Sequence, residues 1–83
     1  MEYIATFYSH FGAIKFNKKC ESLTWPSRMM PVPRALSSSC GTCVKYTALA
    51  DSWCPFDAAP DEVEQVVKIT DSGYENIYAA KGS

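Results

Sequence analysis

A strand that leads directly into a helix is encoded near the N-terminus by Tyr3-Ile4-Ala5-Thr6-Phe7-Tyr8-Ser9. Residues 3–8 are mostly β-branched or aromatic and show no polar alternation, which is typical of a strand buried on at least one face. Ser9 is a favourable N-cap, and the apolar residues after it recur at helical spacing up to Trp25-Pro26. The stretch therefore predicts a first strand over 3–8 and a first helix that begins after Ser9 and ends before Trp25.

Three further strands and a second helix are predicted beyond that helix. The strands are expected over residues 27–30, 44–50 and 75–80. The second helix is predicted to begin at Pro60, because proline and the acidic residues after it suit the first turn of a helix. Its buried stripe consists of residues at helical spacing: Val63, Val66, Val67 and Thr70. The order β-α-β-β-α-β predicts an α+β ferredoxin-like fold, with a four-stranded antiparallel sheet and two helices on one face.

The composition favours one small folded domain over residues 1–83. Hydrophobic residues make up 47% of the chain, which is too many for a disordered protein, and the formal net charge of −1 gives no overall attraction to nucleic acid or to an anionic membrane. Met1-Glu2-Tyr3 leads into the first strand without the basic and apolar regions of a signal peptide, so a cytoplasmic location is expected. A domain of this size has little room for a substrate pocket, and we expect a carrier or accessory protein rather than an autonomous enzyme.

A cysteine motif lies between the second and third predicted strands, in Pro31-Val32-Pro33-Arg34-Ala35-Leu36-Ser37-Ser38-Ser39-Cys40-Gly41-Thr42-Cys43. Cysteine reacts as the thiolate, and the pKa of a cysteine thiol falls from about 8.5 to about 3.5–7.5 near cations, free backbone N–H groups or a partner cysteine. Arg34 offers a cation, and a turn through Ser39 and Gly41 offers backbone N–H groups that favour an anion. Cys40 is therefore the predicted reactive thiol, and these three residues are predicted to stabilise its anion. The alternative is a polar hairpin with a structural cysteine.

Cys43 completes a Cys-x-x-Cys pair, and two interpretations of it stay open. It could resolve an adduct on Cys40 by forming a disulfide, or it could be an inert residue of the third strand. In a reducing compartment such a pair is more often reactive or metal-binding than structural. A thioredoxin fold is not favoured, because thioredoxin-type pairs lie next to a βαβ pattern and this pair lies between two predicted strands.

Zinc is the alternative ligand for the same thiols. Cys40, Cys43 and Cys54 supply three sulfur ligands, and Cys20 or His10 could complete a tetrahedral site. The sequence lacks a second closely spaced ligand pair, and Cys20 falls on the apolar stripe of the first helix. His10 could act in proton transfer, but the turn that contains it and the cysteine motif are expected at opposite ends of the first strand. We therefore expect no resident cofactor, with zinc as the alternative.

Three segments carry a resemblance to a known family: Tyr3-Ile4-Ala5-Thr6-Phe7-Tyr8-Ser9-His10, Pro31-Val32-Pro33-Arg34 and Ser37-Ser38-Ser39-Cys40-Gly41. They resemble a small bacterial domain family described as putative selenium/sulfur carrier protein-like. The resemblance implies that Cys40 holds a persulfide or a selenium adduct, with Arg34 and Gly41 matching the surrounding motif. It does not extend dependably to Cys43 or Cys54.

The sequence and the resemblance together predict a cytosolic sulfur or selenium carrier. Cys40 is expected to accept sulfane sulfur or reduced selenium from a pyridoxal-phosphate cysteine desulfurase-type donor and to pass it to an acceptor enzyme. Two alternatives stay open: a non-enzymatic zinc-binding or protein-interaction module, and a thiol-disulfide regulator that uses Cys40 and Cys43. No nucleic-acid or membrane partner is expected, and exposed edge strands would allow a homodimer.

Overall fold

The computed structural model describes residues 1–80, which form one α-helix and a five-stranded antiparallel sheet. The elements are β1 (Glu2–Phe7), α1 (His10–Ser22), β2 (Ser27–Pro31), β3 (Thr42–Thr47), β4 (Val63–Thr70) and β5 (Gly73–Ala79). The strands lie in the order β2-β3-β1-β4-β5. Within residues 1–80 no helix is long and apolar enough to cross a membrane. The α+β class is confirmed.

The first half of the chain follows the sequence predictions closely. β1 and β2 begin and end within one residue of their predicted positions, and β3 begins two residues earlier than predicted. Ser9 is the N-cap of α1, and its hydroxyl accepts a hydrogen bond from the Gly12 N–H at 3.1 Å. β3 pairs antiparallel with both β1 and β2, so β1 and β2 run parallel on either side of it and are joined by α1. This arrangement is a split βαβ unit.

The ferredoxin-like fold is not confirmed, because the predicted second helix is a strand. Residues 63–70 form β4, which pairs with β1 on one side and with β5 on the other. The predicted last strand is β5, so the sheet has five strands and one helix on its face instead of four strands and two helices. The β-branched side chains of β4 favour this extended conformation.

A β-bulge in β4 explains why its sequence imitates a helix. Val63 pairs with Phe7 and Gln65 pairs with Thr6, so Glu64 is an extra residue with no partner on β1. Side chains of a regular strand return to the same face every two residues, and the extra residue increases this spacing to three. Val63 and Val66, three residues apart, therefore both lie in the larger of the two hydrophobic cores. Residues three apart also share one face of a helix, which is why the pattern resembles a helical one.

The face of the sheet that α1 covers, which we call the helix face, carries the larger core. The ring centroid of Phe16 in α1 lies 5.2 Å from that of Phe7 and 5.1 Å from that of Tyr46. The connection between β3 and β4 packs Trp53 and Phe56 against the same core. The Tyr46 hydroxyl donates a hydrogen bond of 2.7 Å to the Trp53 carbonyl. An irregular connection therefore covers part of the face where a second helix was predicted.

The opposite face, which we call the helix-free face, carries a smaller core. Its fully buried members are Ile4, Cys43 and Val67. Val32 and Leu36, from the connection between β2 and β3, pack against them. This connection therefore folds over one end of the sheet and contributes to both faces, because Cys40 near its end packs against the helix-face core.

Candidate functional site

The cysteine motif forms a compact loop over residues 32–41, which we call the cysteine loop. Its base is closed by the Val32 N–H, which donates to the Gly41 carbonyl at 3.1 Å, and the Leu36 N–H donates to the Pro33 carbonyl at 3.0 Å within it. Gly41 has a φ of +75°, which is in the left-handed region that favours glycine. A Cβ at Gly41 would meet no heavy atom within 4 Å beyond its two chain neighbours. The surface beside Cys40 is therefore open.

Cys40 lies half-buried between this open surface and the helix-face core. Its Sγ donates to the Thr42 carbonyl at a distance of 3.4 Å, and the Ser38 hydroxyl lies 4.0 Å from the same sulfur. A thiol that donates to a carbonyl is protonated, so this geometry is that of the resting thiol. Reaction requires the S–H to leave the Thr42 carbonyl and the sulfur to turn toward the open side.

Two serines fasten the loop to neighbouring strands. The Ser38 hydroxyl donates to the Phe7 carbonyl at 3.1 Å, at the end of β1. Ser39 donates twice to the carboxylate of Glu64: its N–H to Oε1 at 3.1 Å and its hydroxyl to Oε2 at 2.9 Å. Glu64 is the extra residue of the β4 bulge, and bulges commonly re-aim a side chain next to a functional site. The cysteine loop is thus held from β1 on one side and from β4 on the other.

Within residues 1–80, none of the residues predicted to stabilise an anion on Cys40 donates a hydrogen bond to its sulfur, whose partners are Ser38 and Thr42. Both donors of Ser39 are directed to Glu64. Arg34 is exposed in the loop, and the one ion pair within 4 Å in residues 1–80 joins Lys15 to Glu62, so Arg34 is held by no carboxylate there. The Gly41 carbonyl accepts from Val32. Stabilisation by these residues would therefore require the loop to rearrange.

His10 lies at the same end of the sheet as the cysteine loop, and the sequence argument that placed the two at opposite ends is wrong. β1 and β3 are antiparallel, with Thr6 opposite Cys43, so the end of β1 meets the start of β3. His10 Nδ1 lies 3.3 Å from the Thr42 hydroxyl. The imidazole is exposed, and it contacts the same residue, Thr42, whose carbonyl accepts from the Cys40 thiol. His10 therefore belongs to the candidate site.

Cys43 lies in a different environment from Cys40. It is fully buried in the core of the helix-free face, and its Sγ is 3.7 Å from the Pro31 carbonyl. Burial, and then the charge of the neighbouring Cys40, raise the pKa of Cys43 to about 11. Both effects favour the neutral thiol. In this position Cys43 is a core residue, and a resolving role would require β3 to open at its start.

The other two cysteines lie together on the helix face. Cys20 is fully buried in α1, and burial, followed by the charge of Cys54, raises its pKa to about 12. Cys54 is half-buried in the connection between β3 and β4, and burial is also the main cause that raises its pKa. Within residues 1–80, no group of three or more His, Cys, Asp or Glu side chains is arranged to hold a metal ion. The four predicted zinc ligands are therefore not brought together there.

Two residues of the site were missed by the sequence analysis. Thr42 was read only as part of the cysteine motif, although its carbonyl and hydroxyl contact Cys40 and His10. Glu64 falls within the predicted second helix and is not among the predicted site residues. The β-branched content of residues 63–70 favours a strand over a helix, but it does not indicate the bulge on which the position of Glu64 depends.

Comparison with known proteins identifies the family of the chain. A family model described as "Putative Se/S carrier protein-like" matches residues 2–79, a range that includes all five strands, α1 and the cysteine loop. No curated protein and no solved structure matches the chain. Because the family model spans nearly the whole sequence, the chain belongs to the Se/S carrier protein-like family.

Proposed function

We propose that the protein accepts sulfane sulfur, or selenium at the same zero-valent level, on Cys40 and passes it to an acceptor enzyme. Membership of the Se/S carrier protein-like family supports the general role. The observation that carries the assignment to Cys40 is its position in a loop with an open surface, whereas Cys20 and Cys43 are fully buried. A carried atom must be reached by donor and acceptor proteins, which requires an accessible thiol.

Loading is a thiolate exchange with a persulfide of a pyridoxal-phosphate-dependent cysteine desulfurase. Cys40 loses its proton, and its thiolate attacks the terminal sulfur of the donor persulfide. A new S–S bond forms on Cys40, the S–S bond of the donor breaks, and the donor thiolate takes up a proton. Delivery is the same step in the other direction, with a nucleophile of the acceptor attacking the terminal sulfur and the Cys40 thiolate leaving. Neither step needs an external oxidant or reductant.

The surrounding residues have separate roles in this proposal. The exposed Arg34 approaches the persulfide anion from solvent, because no carboxylate within residues 1–80 holds it. Ser39 and Gly41 shape the turn that presents Cys40. His10 takes up the proton that leaves with loading, since it is exposed and already contacts the neighbouring Thr42.

Cys43 has a conditional role. Attack of the Cys43 thiolate on Cys40 Sγ would break the bond between Sγ and the carried sulfur, form a Cys40–Cys43 disulfide and release hydrosulfide, with the pair oxidised and the carried sulfane sulfur reduced. Because Cys43 is fully buried, this release requires local opening of β3 and is slower than transfer to an acceptor that reaches Cys40 directly.

The test is intact-protein mass spectrometry after incubation with a cysteine desulfurase and cysteine, before and after reductant. We expect a reductant-labile gain of one or more sulfur atoms in the wild-type protein and none in Cys40→Ala. Cys54→Ser is the matched control, since Cys54 is the other half-buried thiol, and it should load like the wild type. Full loading of Cys40→Ala would overturn the assignment.

A thiol-disulfide regulator that uses Cys40 and Cys43 is the second candidate. It is favoured by one observation, that the charge of Cys40 acts on the pKa of Cys43, which places the two thiols within electrostatic reach of each other. A reversible Cys40–Cys43 disulfide with a defined reduction potential, together with no gain of sulfur from a desulfurase, would favour this candidate over the carrier.

A further inference from the structure

We propose that the helix-free face carries a binding site for a small dianion, such as a phosphate group, between Arg28 and Lys45. This site lies apart from the cysteine loop and does not depend on the carrier function. Lys45 is three residues along β3 from Thr42, which is about 10 Å at the rise of a strand. A ligand between these two cations would therefore bind without contacting Cys40.

The two cations are direct neighbours in the sheet. Arg28 on β2 is the register partner of Lys45 on β3, and directly opposite residues have Cβ atoms about 4.5–5.5 Å apart on the same face. Lys45 is also opposite Ile4, a member of the core of the helix-free face. Both side chains therefore project from that face, and like charges in this arrangement repel each other.

Among the described residues, no acidic side chain forms an ion pair with Arg28 or Lys45. Within residues 1–80 the one ion pair shorter than 4 Å joins Lys15 to Glu62. Glu2 is the acidic residue of the same region, but it is opposite Thr47 and comes within 4 Å of neither cation. The fold thus keeps a cross-strand repulsion without an internal counter-ion, which a bound anion would relieve.

Protection of the sheet edge does not account for both residues. Edge strands often carry charged side chains that prevent pairing with another chain, and β2 is an edge strand, so this explanation covers Arg28. Lys45 lies on β3, which is paired on both sides. Its charge on that face needs another reason.

A cleft lies beside the pair. It has a volume of about 330 Å³, and its walls include Glu2, Pro26, Arg28, Lys45 and Thr47. This volume is at the lower end of the range of about 300–1,000 Å³ that is typical of small-molecule sites. Arginine offers a planar pair of donors and lysine a point charge, a combination that suits the oxygens of a phosphate or of a similar dianion. The cleft therefore fits a small molecule better than a folded partner.

The experiment is a titration of the full chain with inorganic phosphate, with sodium chloride at matched ionic strength as reference. Backbone amide shifts in ¹H–¹⁵N spectra and thermal unfolding are recorded together. We expect saturable shifts at Arg28 and Lys45, and a Tm raised by about 4–8 °C over the chloride reference when phosphate is several-fold above its Kd. The chloride reference removes the general screening of the two charges.

Variants separate a specific site from a general effect of charge. Arg28→Gln and Lys45→Gln should each weaken phosphate binding at least about tenfold while unfolding at a higher temperature than the wild type at low salt, because the repulsion is gone. Glu2→Gln should strengthen binding. Lys18→Gln, which removes an exposed lysine on α1, is the matched control and should bind phosphate like the wild type.

Two results would overturn the proposal. The first is a phosphate response no larger than the chloride response, or one that survives in Lys45→Gln. The second is a response of Arg28 and Lys45 to an acidic peptide such as oligoglutamate without any response to phosphate, which would assign the pair to an acidic protein surface instead of a small molecule.

Discussion

Cys40 and Cys43 belong to one Cys-x-x-Cys motif but lie in regions with opposite properties. Cys40 is in the cysteine loop, half-buried next to an open surface, whereas Cys43 is in β3, fully buried in the core of the helix-free face. Burial raises the pKa of Cys43 to about 11, so this thiol stays neutral. The strand boundary at Thr42, more than the shared motif, therefore decides which of the two cysteines is accessible.

The difference in accessibility predicts a difference in alkylation rate. In the native protein iodoacetamide should modify Cys40 at least about 100-fold faster than Cys43, because a fully buried thiol is exposed only by local opening of the structure. Such opening costs about 3 kcal/mol or more, and about 1.4 kcal/mol corresponds to a tenfold change in rate. Peptide mass spectrometry over a time course measures both rates.

Denaturant supplies the control for this experiment. In about 6–8 M urea, which unfolds most small domains, the alkylation rates of Cys40 and Cys43 should become similar. Comparable rates in the native protein would remove the distinction between the two regions.

The buried thiols predict a loss of stability at alkaline pH. The pKa of Cys43 is raised from 9 to about 11 by burial and the charge of Cys40, so above pH 9 the unfolded chain releases a proton that the folded chain retains. The free energy of unfolding should therefore fall between pH 9 and 11, by about 1.4 kcal/mol per pH unit for this thiol and about 3 kcal/mol in total. Cys20, with a pKa raised to about 12, contributes a fall of the same sign.

Urea unfolding at about pH 8, 9, 10 and 11 measures how the free energy of unfolding changes over this range. Cys43→Ala should show a shallower decline than the wild type, whereas Cys40→Ala should keep most of the decline, because it removes only the smaller of the two causes. A decline that is unchanged in Cys43→Ala would contradict the assignment of this loss to its thiol.

Truncating each cysteine should affect stability unequally. Cys43→Ala leaves a cavity among Ile4, Val67 and Leu36, and we expect a loss of about 1–3 kcal/mol. Cys40→Ala removes a half-buried group at an open surface and should cost less than about 1 kcal/mol. Thermal or urea unfolding of the two variants compares them directly, and equal losses would mean that Cys40 is as much a core residue as Cys43.

Removing the attachment of the loop to β4 should have the smallest effect. Glu64→Gln keeps the size of the side chain but replaces the charge that accepts from the Ser39 N–H and hydroxyl, and we expect a loss of about 1 kcal/mol or less at this partly exposed position. Hydrogen exchange at the Ser39 amide should accelerate, while exchange at Val44 in β3 should stay unchanged. Uniform acceleration at both positions would mean that Glu64 supports the whole sheet instead of the loop.

The sequence was sufficient where local signals and tertiary structure agree. Ser9 caps α1, the largely aromatic and β-branched run after Glu2 forms a buried strand, and β2 ends at Pro31, one residue beyond its predicted end. Cys40 could be selected because glycine and serines around it indicate an open turn. In these segments periodicity and turn chemistry give the same answer as the packing.

The sequence was insufficient where a bulge alters the periodicity. Val63 and Val66 have helical spacing only because Glu64 is inserted between paired residues of β4, and no pattern in one sequence distinguishes this from a helix face. The position of Glu64 against Ser39 depends on that bulge, so it could not be predicted either. The contact between His10 and Thr42 likewise depends on strand pairing, because the two residues are 32 positions apart in the chain.

The proposal that Cys40 carries the sulfur is tested most directly by locating the added sulfur atom. The wild-type protein is incubated with a cysteine desulfurase and cysteine, its thiols are alkylated, and its peptides are mapped by mass spectrometry. We expect the additional sulfur on Cys40 and on none of Cys20, Cys43 and Cys54. An adduct on Cys54, or none on the folded protein, would contradict it.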